Sequence, residues 1–461
     1  MIINQDNLKL PFSNRDTAQS ENNTYEVAII GGGISGTALL YSLSNYTNIN
    51  RIALIEKYKE VALLNSHKNS NSQTLHFGDI ETNYTLEKAQ AVQQAASLVK
   101  NYILKNDLLQ QTYSKYHKMV LAIGKEQIQE LQHRYKIFKL LFPNLRLINK
   151  EEIKLLEPNV VRNRISEEEI FALFTDEGYT IDFQKLAQSF LNKSIEHSPK
   201  SIDLMMGTKV NSLKKEGELY YIQTTKGVVA TKVVVFTTGA YSLLFAKSLG
   251  YGKDYALLDV AGSFYLAPGV LNGKVYTVQL KEIPFAAIHG DAEVHDSSMT
   301  RFGPTAKVTL LLEKRNYGTI IDYFKTAGTS ANAFISFFNI LSERVILRYI
   351  IKNYFYDIPL VGKRLFLKEA RKIVPSLQLS DLRLAKEYGG IRPQIINLQT
   401  KRLELGEAKI VGKDILFNIT PSPGASTCLQ NAFDDTEKVI SFLGQGFNFD
   451  KHRFLQDLGE D

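Results

Sequence analysis

Residues 25–57 read YEVAIIGGGISGTALLYSLSNYTNINRIALIEK, and this stretch decides the fold of the chain. Residues 27–30 form an uninterrupted apolar run, which predicts a parallel strand buried on both faces. Gly31, Gly33 and Gly36 follow with the spacing G-x-G-x-x-G. In a strand–turn–helix unit these glycines permit a tight turn, the approach of a pyrophosphate and close packing of helix on strand. The pattern predicts a dinucleotide-binding unit, in preference to an ordinary glycine-rich turn.

An acidic residue completes the same unit. Residues 51–55 predict the second strand, and Glu56 follows about 20 residues beyond the last glycine, where a carboxylate accepts hydrogen bonds from ribose hydroxyls. An acid at this position argues against a cofactor with a 2′-phosphate. Ser35, at the start of the intervening helix, and Lys57, next to the acid, are further predicted cofactor contacts.

Composition predicts a soluble globular protein. The 461 residues exceed what one core usually supports, so two structural domains are expected. Hydrophobic residues make up 44% and charged residues 22%, as in soluble proteins. The single cysteine, Cys428, excludes an internal disulfide and fits a reducing compartment. A net charge of +7 fits either an anionic surface or a small acidic substrate.

The sequence predicts neither a secretory signal nor a transmembrane helix. Residues 1–24 lack the apolar segment of a secretory signal and are predicted to form a flexible N-terminal extension. The remaining chain has no run of about 18 apolar residues, so no transmembrane helix is expected.

A polar loop lies directly behind the nucleotide unit. Residues 65–76 read NSHKNSNSQTLH, which is too polar and irregular for a helix or strand. Ser72 and Gln73 supply hydrogen-bond donors and acceptors to a cofactor in this position. A solvated connector has the same composition, so both interpretations stay open here.

Another buried strand is predicted at residues 228–236. Thr238 and Gly239 follow it, and the C-terminal end of a parallel strand is where open α/β sheets bind ligands. Val210 is included with them among the predicted cofactor contacts. These residues extend the predicted site beyond the glycine unit.

Three longer stretches resemble the FAD-dependent malate:quinone oxidoreductases. They are residues 71–89 (NSQTLHFGDIETNYTLEKA), 289–307 (HGDAEVHDSSMTRFGPTAK) and 419–432 (ITPSPGASTCLQNA). The glycine unit, VVVFTTGA and GGIRPQ also resemble the wider flavoprotein superfamily of D-amino acid oxidase and L-2-hydroxyglutarate dehydrogenase. Residues 71–76 depart from the family's common N-N-A-G-T-G-H version.

The resemblance implies an activity, a cofactor and partners. It implies non-covalent FAD, oxidation of (S)-malate to oxaloacetate with a membrane quinone as acceptor, and a peripheral position on the cytoplasmic face of the cell membrane. Gly424, Ala425, Ser426 and Thr427 precede a predicted helix at Cys428, and free N–H groups at that helix start would face the flavin.

Oxidation of a 2-hydroxy acid requires a base for the hydroxyl proton and cations for the carboxylates. His289 is the predicted base, with His295 as the competing histidine. Arg301 is a predicted carboxylate ligand. The resemblance assigns the same role to Arg392, in its G-x-R-P setting. No metal site is predicted.

The predicted fold class is α/β, with a Rossmann-like FAD-binding domain and an interleaved α+β substrate domain built on an antiparallel sheet. The FAD-binding domain is expected at 25–112, 151–258 and 386–461, and the substrate domain at 113–150 and 259–385.

Residues 331–357 predict an amphipathic helix, with Phe337 and Phe338 among its apolar residues and a basic stretch at 363–372 behind it. Helices at 331–374 would lie in the bilayer interface, or would cover the core of the substrate domain; both interpretations stay open.

Two other functions fit parts of the sequence. One is oxidation of another 2-hydroxy or 2-amino acid. The other is a flavin-dependent RNA-modifying protein, suggested by the fold and the basic charge. The second is disfavoured because the sequence has no dense Lys/Arg stripe or RNA-binding motif. No nucleic acid partner is therefore expected.

Overall fold

The structure is a computed structural model that describes residues 24–107, 109–196, 198–279, 288–327, 331–358, 361–404, 408–420 and 423–459. The predicted N-terminal extension at 1–24 lies outside these residues except for Thr24. None of the helices in the described ranges combines the length and the hydrophobicity needed to cross a bilayer.

The first sheet has eight strands and contains the glycine unit. Its strands are β1 (Tyr25–Ile30), β2 (Arg51–Ile55), β6 (Ser201–Met205), β7 (Val210–Glu216), β8 (Leu219–Thr224), β9 (Gly227–Phe236), β19 (Ala408–Gly412) and β20 (Ile415–Ile419). Their order is β19-β20-β9-β1-β2-β6, with β8 and then β7 attached to β9. The central strand β1 is parallel to β2 and β9. Val27 and Ile29 pack into one core cluster and Ala28 and Ile30 into another, so β1 is buried on both faces as predicted.

Two further sheets build the rest of the molecule. The second has eight strands in the order β16-β11-β14-β13-β12-β3-β5-β4. These are β3 (Tyr113–Ile123), β4 (Arg146–Ile148), β5 (Ile170–Ile181), β11 (Phe264–Pro268), β12 (Lys274–Thr277), β13 (His289–Glu293), β14 (Asp296–Gly303) and β16 (Arg383–Ala385). All its pairs are antiparallel except β12 with β3. The third is antiparallel, in the order β15-β10-β17-β18, with β10 (Tyr255–Ala261), β15 (Lys307–Thr309), β17 (Ile391–Asn397) and β18 (Arg402–Glu404).

Helices cover the sheets. They are α1 (Ile34–Tyr46), α2 (Leu86–Asn106), α3 (Lys125–Phe138), α4 (Lys150–Leu156), α5 (Pro158–Val161), α6 (Phe183–Ile195), α7 (Tyr241–Ser248), α8 (Ile320–Ala327), α9 (Ala331–Ser342), α10 (Arg344–Tyr356), α11 (Val361–Ile373), α12 (Cys428–Leu443) and α13 (Lys451–Leu458). Short 3-10 helices lie at Tyr317–Thr319 and Leu379–Asp381. Leucines of α1, including Leu39 and Leu43, pack with residues of α6 and α12 in the core on one face of the first sheet.

The predicted α/β class is confirmed, with a glycine turn between β1 and α1 and antiparallel sheets beside it. The domain boundaries stay a prediction; β5, from a segment assigned to the FAD-binding domain, pairs with β3 of a substrate segment, and β10 spans the predicted boundary at residue 258. The single helix predicted at 331–357 is wrong. Glu343 has an extended ψ of 122°, which separates α9 from α10.

Candidate active site

The glycine turn leaves one side open for a ligand. Gly31 has a φ of +107°, and a Cβ there would lie 2.8 Å from the carbonyl oxygen of Thr237. At Gly36 a Cβ would overlap the carbonyl oxygen of Gly31. At Gly33, in contrast, the nearest atom to a Cβ would be Ser66 Oγ at 3.4 Å. Gly31 and Gly36 therefore serve close packing, whereas Gly33 faces space into which a pyrophosphate fits.

Glu56 is held at the end of β2 by backbone groups. Its Oε2 accepts a hydrogen bond from the Gly32 N–H at 2.6 Å, and its Oε1 accepts one from the Tyr58 N–H at 2.9 Å. A carboxylate has about four acceptor positions, so both oxygens can still accept ribose hydroxyls. This geometry fits the adenosine ribose of a dinucleotide.

One cavity connects the glycine turn with the third sheet. The predicted cofactor residues that line it are Gly31, Gly33, Ser35, Glu56, Lys57, Ser72, Val210, Thr238, Gly239, Gly424, Ala425 and Ser426. Arg392 lines the same cavity. The nucleotide unit, the polar loop and the segment before α12 are therefore brought together as one site.

Three predicted cofactor residues do not line this cavity. Gly36 lies behind the turn, as described above. Gln73 is buried, and its amide nitrogen donates to Glu293 Oε1 and to the Lys68 carbonyl oxygen, both at 3.0 Å. The Thr427 hydroxyl donates to the Gly424 carbonyl oxygen at 3.3 Å. The side chains of Gln73 and Thr427 therefore bond to protein groups beside the cavity.

The loop at residues 65–76 is fixed from two directions. The His76 N–H donates to Ser426 Oγ at 2.9 Å, which joins the loop to the segment before α12. Asn65 Oδ1 accepts from the Ile391 N–H at 3.1 Å, which joins it to the strand that carries Arg392. The loop is therefore a structured wall of the cavity and not a solvated connector.

Arg392 is a cation on the wall of the cavity. It lies on β17 opposite Val260 of β10, on the face that Tyr349 also covers. Burial lowers the pKa of the Arg392 guanidinium, and Tyr349 opposes this effect. Among the residues that the structure describes, no acidic side chain forms an ion pair with it. A partly buried, unpaired guanidinium on the cavity wall fits the carboxylate of a ligand.

Arg301 is not at the cavity. It is fully buried on β14, where its Nη2 lies 2.7 Å from Asp291 Oδ2 and 3.0 Å from the Ser72 carbonyl oxygen. The structure places it behind the 65–76 loop, and its role as a carboxylate ligand stays a prediction from the sequence. Arg301 shares the carboxylate of Asp291 with Lys274, and no face of the guanidinium is exposed.

His289 belongs to the same buried cluster. Its Nε2 lies 3.1 Å from Asp291 Oδ1, and its ring centroid lies 4.6 Å from that of Tyr276. Burial lowers the pKa of His289, although Asp291 opposes the effect. Lys274 Nζ is 3.6 Å from the same aspartate. The structure therefore places His289 in an ionic cluster and not on the cavity wall.

The competing histidine is tied to a helix end. His295 Nε2 lies 2.7 Å from Asp182 Oδ2, and the other carboxylate oxygen of Asp182 accepts the Gln184 and Lys185 N–H groups at the start of α6. His295 does not line the cavity. This geometry is that of a structural histidine.

His76 was not predicted as a catalytic candidate, yet it lines the cavity. Its Nδ1 lies 2.6 Å from Glu81 Oε1. Burial alone would raise the pKa of Glu81, but the hydrogen bond and charge of His76 and the charge of Lys118 outweigh it and lower the pKa to about 2. The sequence signal was a histidine ending the polar loop with an acid five residues later. A carboxylate that holds one ring nitrogen orients the other for proton transfer.

Comparisons with known proteins show the family of the chain. The family model described as Malate:quinone oxidoreductase (Mqo) matches residues 23–442. The malate:quinone oxidoreductase of Helicobacter pylori (strain ATCC 700392 / 26695) is 39% identical over 446 residues, which cover 95% of this chain and 98% of the relative. A probable malate:quinone oxidoreductase of Campylobacter jejuni subsp. jejuni is 41% identical over 438 residues, with 93% and 98% covered. The solved L-alpha-glycerophosphate oxidase of Mycoplasma pneumoniae, with FAD bound, has the same fold at 17% identity, with a TM-score of 0.63 and coverage of 90% of this chain and 94% of that one. The chain belongs to the malate:quinone oxidoreductase family.

Proposed function

We propose that this protein oxidises (S)-malate to oxaloacetate with bound FAD and delivers the electrons to a membrane quinone. The observation that carries the proposal is Arg392, which has no acidic partner among the described residues, on a cavity that also contains the glycine turn and Glu56. A dinucleotide and a carboxylate would therefore bind in one continuous space. The names of relatives at 39% and 41% identity support malate as the substrate and quinone as the acceptor.

The residues of the cavity fit FAD. The open side of Gly33 and the N–H groups at the start of α1 would hold the pyrophosphate, and Glu56 would hold the adenosine ribose. Ser72 and the segment 424–426 would lie along the flavin end. When bound, FAD supplies the two-electron acceptor that takes hydride from C2 of malate and passes the electrons to quinone.

Arg392 and His76 carry the chemistry of the chain itself. Arg392 binds one malate carboxylate and so fixes C2 relative to the cavity wall. His76 accepts the hydroxyl proton as hydride leaves C2, so that the O–H and C–H bonds break and the C=O bond of oxaloacetate forms. Glu81 holds Nδ1 of His76 and stabilises the imidazolium. His289 stays the alternative base predicted from the sequence.

Arg301 and His289 have a positioning role in this proposal. Asp291 contacts the side chains of Arg301, His289 and Lys274. Arg301 also donates a hydrogen bond to the Ser72 carbonyl oxygen. A buried cluster of this kind is costly to break, because loss of one partner leaves an uncompensated charge. It therefore fixes the loop that carries Ser72 at the cofactor cavity.

We further propose that α10 attaches the protein to the cytoplasmic face of the cell membrane. Its apolar residues at helical spacing are exposed by 42% to 47%, namely Leu347, Ile351, Tyr354, Phe355 and, just beyond the helix, Ile358. Phe338 of α9 is 73% exposed. Such a contiguous apolar stripe on a surface helix fits the acyl boundary of a bilayer.

Basic residues adjoin this stripe. Arg344, Arg348 and Lys352 are exposed along α10, and Lys368 and Lys372 are exposed on the neighbouring α11. The positive charges of these residues would contact anionic lipid headgroups. Phe337, in contrast, packs against core clusters that contain Leu257 and Ile396, so it is not part of the exposed stripe.

Substrate comparison tests the proposed activity. Purified protein should reduce a quinone analogue with malate at a kcat/KM at least tenfold above that with 2-hydroxyglutarate, lactate or amino acids. Faster turnover of another 2-hydroxy or 2-amino acid would replace malate as the substrate.

A further inference from the structure

A carboxylate from the loop after β15 lies against the wall of the cofactor cavity. Glu313 is only 5% exposed. Its oxygens accept hydrogen bonds from the hydroxyls of Tyr58 at 2.9 Å and Tyr241 at 2.8 Å, and from Asn316 Nδ2 at 2.9 Å. Lys57 forms an ion pair with the same carboxylate. Four side chains therefore converge on one buried acid.

The cluster is held by charge as well as by hydrogen bonds. Burial by itself raises the pKa of Glu313, but hydrogen bonds from Lys57 and Asn316 and the charge of Lys57 outweigh it and lower the pKa to about 2. Lys57 Nζ also lies 4.3 Å from the ring centroid of Tyr241 and 5.1 Å from that of Tyr58. The ammonium group is therefore fixed by two aromatic rings and a carboxylate together.

This cluster marks the adenosine end of the cavity. Lys57 and Tyr58 directly follow Glu56, the acid positioned for the ribose. Lys57, Tyr58 and Tyr241 all line the cavity, whereas Glu313 reaches them from behind. Aromatic rings beside a ribose site offer flat apolar surface to an adenine base.

Lys314, the residue after Glu313, anchors the same loop. Lys314 Nζ donates to the carbonyl oxygens of Gly262 and Tyr388, both at 2.5 Å. These carbonyl groups lie just before β11 and just before the glycines that lead to Arg392. Because Lys314 fixes the loop to the framework of the third sheet, Glu313 reaches the adenosine end from a fixed position.

We propose that Glu313 is a positioning residue that closes the adenosine end of the FAD site and slows release of the cofactor. It acts by holding Lys57, Tyr58 and Tyr241 on the cavity wall. The inference rests on the proposed use of FAD. The loop after β15 lies outside the nucleotide-binding unit. The inference gives this loop a role in retaining the adenosine half of the cofactor.

The test measures FAD release from the purified holoenzyme after dilution, followed by the rise in free FAD fluorescence. Glu313→Gln should release FAD at least tenfold faster than the unmodified protein, and Glu313→Asp should fall between the two. Glu387→Gln is the matched control, because Glu387 is 82% exposed and pairs only loosely with Arg315 at 3.6 Å. It should release FAD at the unmodified rate.

A second readout separates positioning from general stability. Excess FAD should restore the Tm of Glu313→Gln toward that of the unmodified protein, and FMN at equal concentration should not, because FMN lacks the adenosine half. Unchanged FAD release, or a Tm deficit that excess FAD does not reduce, would overturn the inference.

If Glu313→Gln fails to fold, the variant with Tyr58→Phe and Tyr241→Phe replaces it, since only two hydroxyl groups are lost. Faster FAD release supports the inference and unchanged release overturns it. An unmodified protein that binds no flavin would instead contradict the proposed function.

Discussion

Nδ1 of His76 lies 2.6 Å from Oε1 of Glu81, and the imidazole lines the same cavity as Arg392. Glu81 and the backbone contact to Ser426 fix this histidine within a loop that has no regular secondary structure. The ring therefore lies at the cavity in which we place the malate hydroxyl.

His76→Asn should slow anaerobic flavin reduction at saturating malate by about 10²- to 10⁴-fold, the usual contribution of a general base. Glu81→Gln should slow the same step less, because it only reorients the ring. Stopped-flow absorbance measures both. His289→Asn tests the other candidate base: if it slows reduction more than His76→Asn does, the base is the histidine predicted from the sequence.

Arg392→Ala should lower kcat/KM for malate about 10²-fold or more. This factor corresponds to a loss of a few kcal/mol of transition-state stabilisation, as expected when a charge-assisted contact is removed. Flavin content should stay normal. Steady-state kinetics with the absorbance ratio of flavin to protein measure both. Normal malate kinetics in this variant would remove Arg392 from the substrate site.

Arg301→Ala should behave differently, since it removes a fully buried side chain that donates to Asp291 Oδ2 and to the Ser72 carbonyl oxygen. Breaking a buried ion pair costs about 3–5 kcal/mol, so Tm and flavin content should fall. Thermal unfolding measures the first and absorbance the second. A variant with normal Tm and flavin but weak malate binding would restore the predicted carboxylate role of Arg301.

Gly33→Val should give folded protein without flavin, because its Cβ position is open and its backbone is extended, with φ −73° and ψ −174°. Gly36→Val is the contrasting variant, since a Cβ there would overlap the Gly31 carbonyl oxygen and should lower Tm sharply. Flavin absorbance and circular dichroism distinguish the two. Normal flavin retention by Gly33→Val would reject the assigned pyrophosphate position.

The double variant Phe338→Glu with Ile351→Glu should lose flotation with anionic liposomes and lose quinone reduction, while malate still reduces its flavin. Leu140→Glu with Leu155→Glu is the matched control, because these leucines are 89% and 85% exposed and do not belong to α9 or α10. If the first variant floats and reduces quinone normally, the docking surface lies elsewhere.

The glycine unit could be predicted because its information is local. The strand, the turn and the acid follow one another in the sequence, and a run of apolar residues specifies β1 without any knowledge of its neighbours. The positions of Gly31, Gly33 and Glu56 at the cavity agree with that pattern.

The environments of Arg301 and His289 could not be predicted, because they depend on strand register. Arg301 on β14 lies directly opposite Asp291 on β13, and this pairing buries the arginine in an ionic cluster. The sequence contains both residue types but not the register that unites them.

The choice between Phe337 and Phe338 also required the structure. Both are apolar residues of one predicted helix and are adjacent on α9, so helical periodicity points them in different directions. Phe337 faces the core clusters and Phe338 faces outward.

The most direct test of the proposed function is anaerobic mixing of the purified protein with (S)-malate while the absorbance of bound flavin is recorded. We predict that the flavin bleaches within the turnover time and that added quinone restores its colour. Flavin that stays oxidised with malate, or protein that cannot be loaded with FAD, would contradict the account.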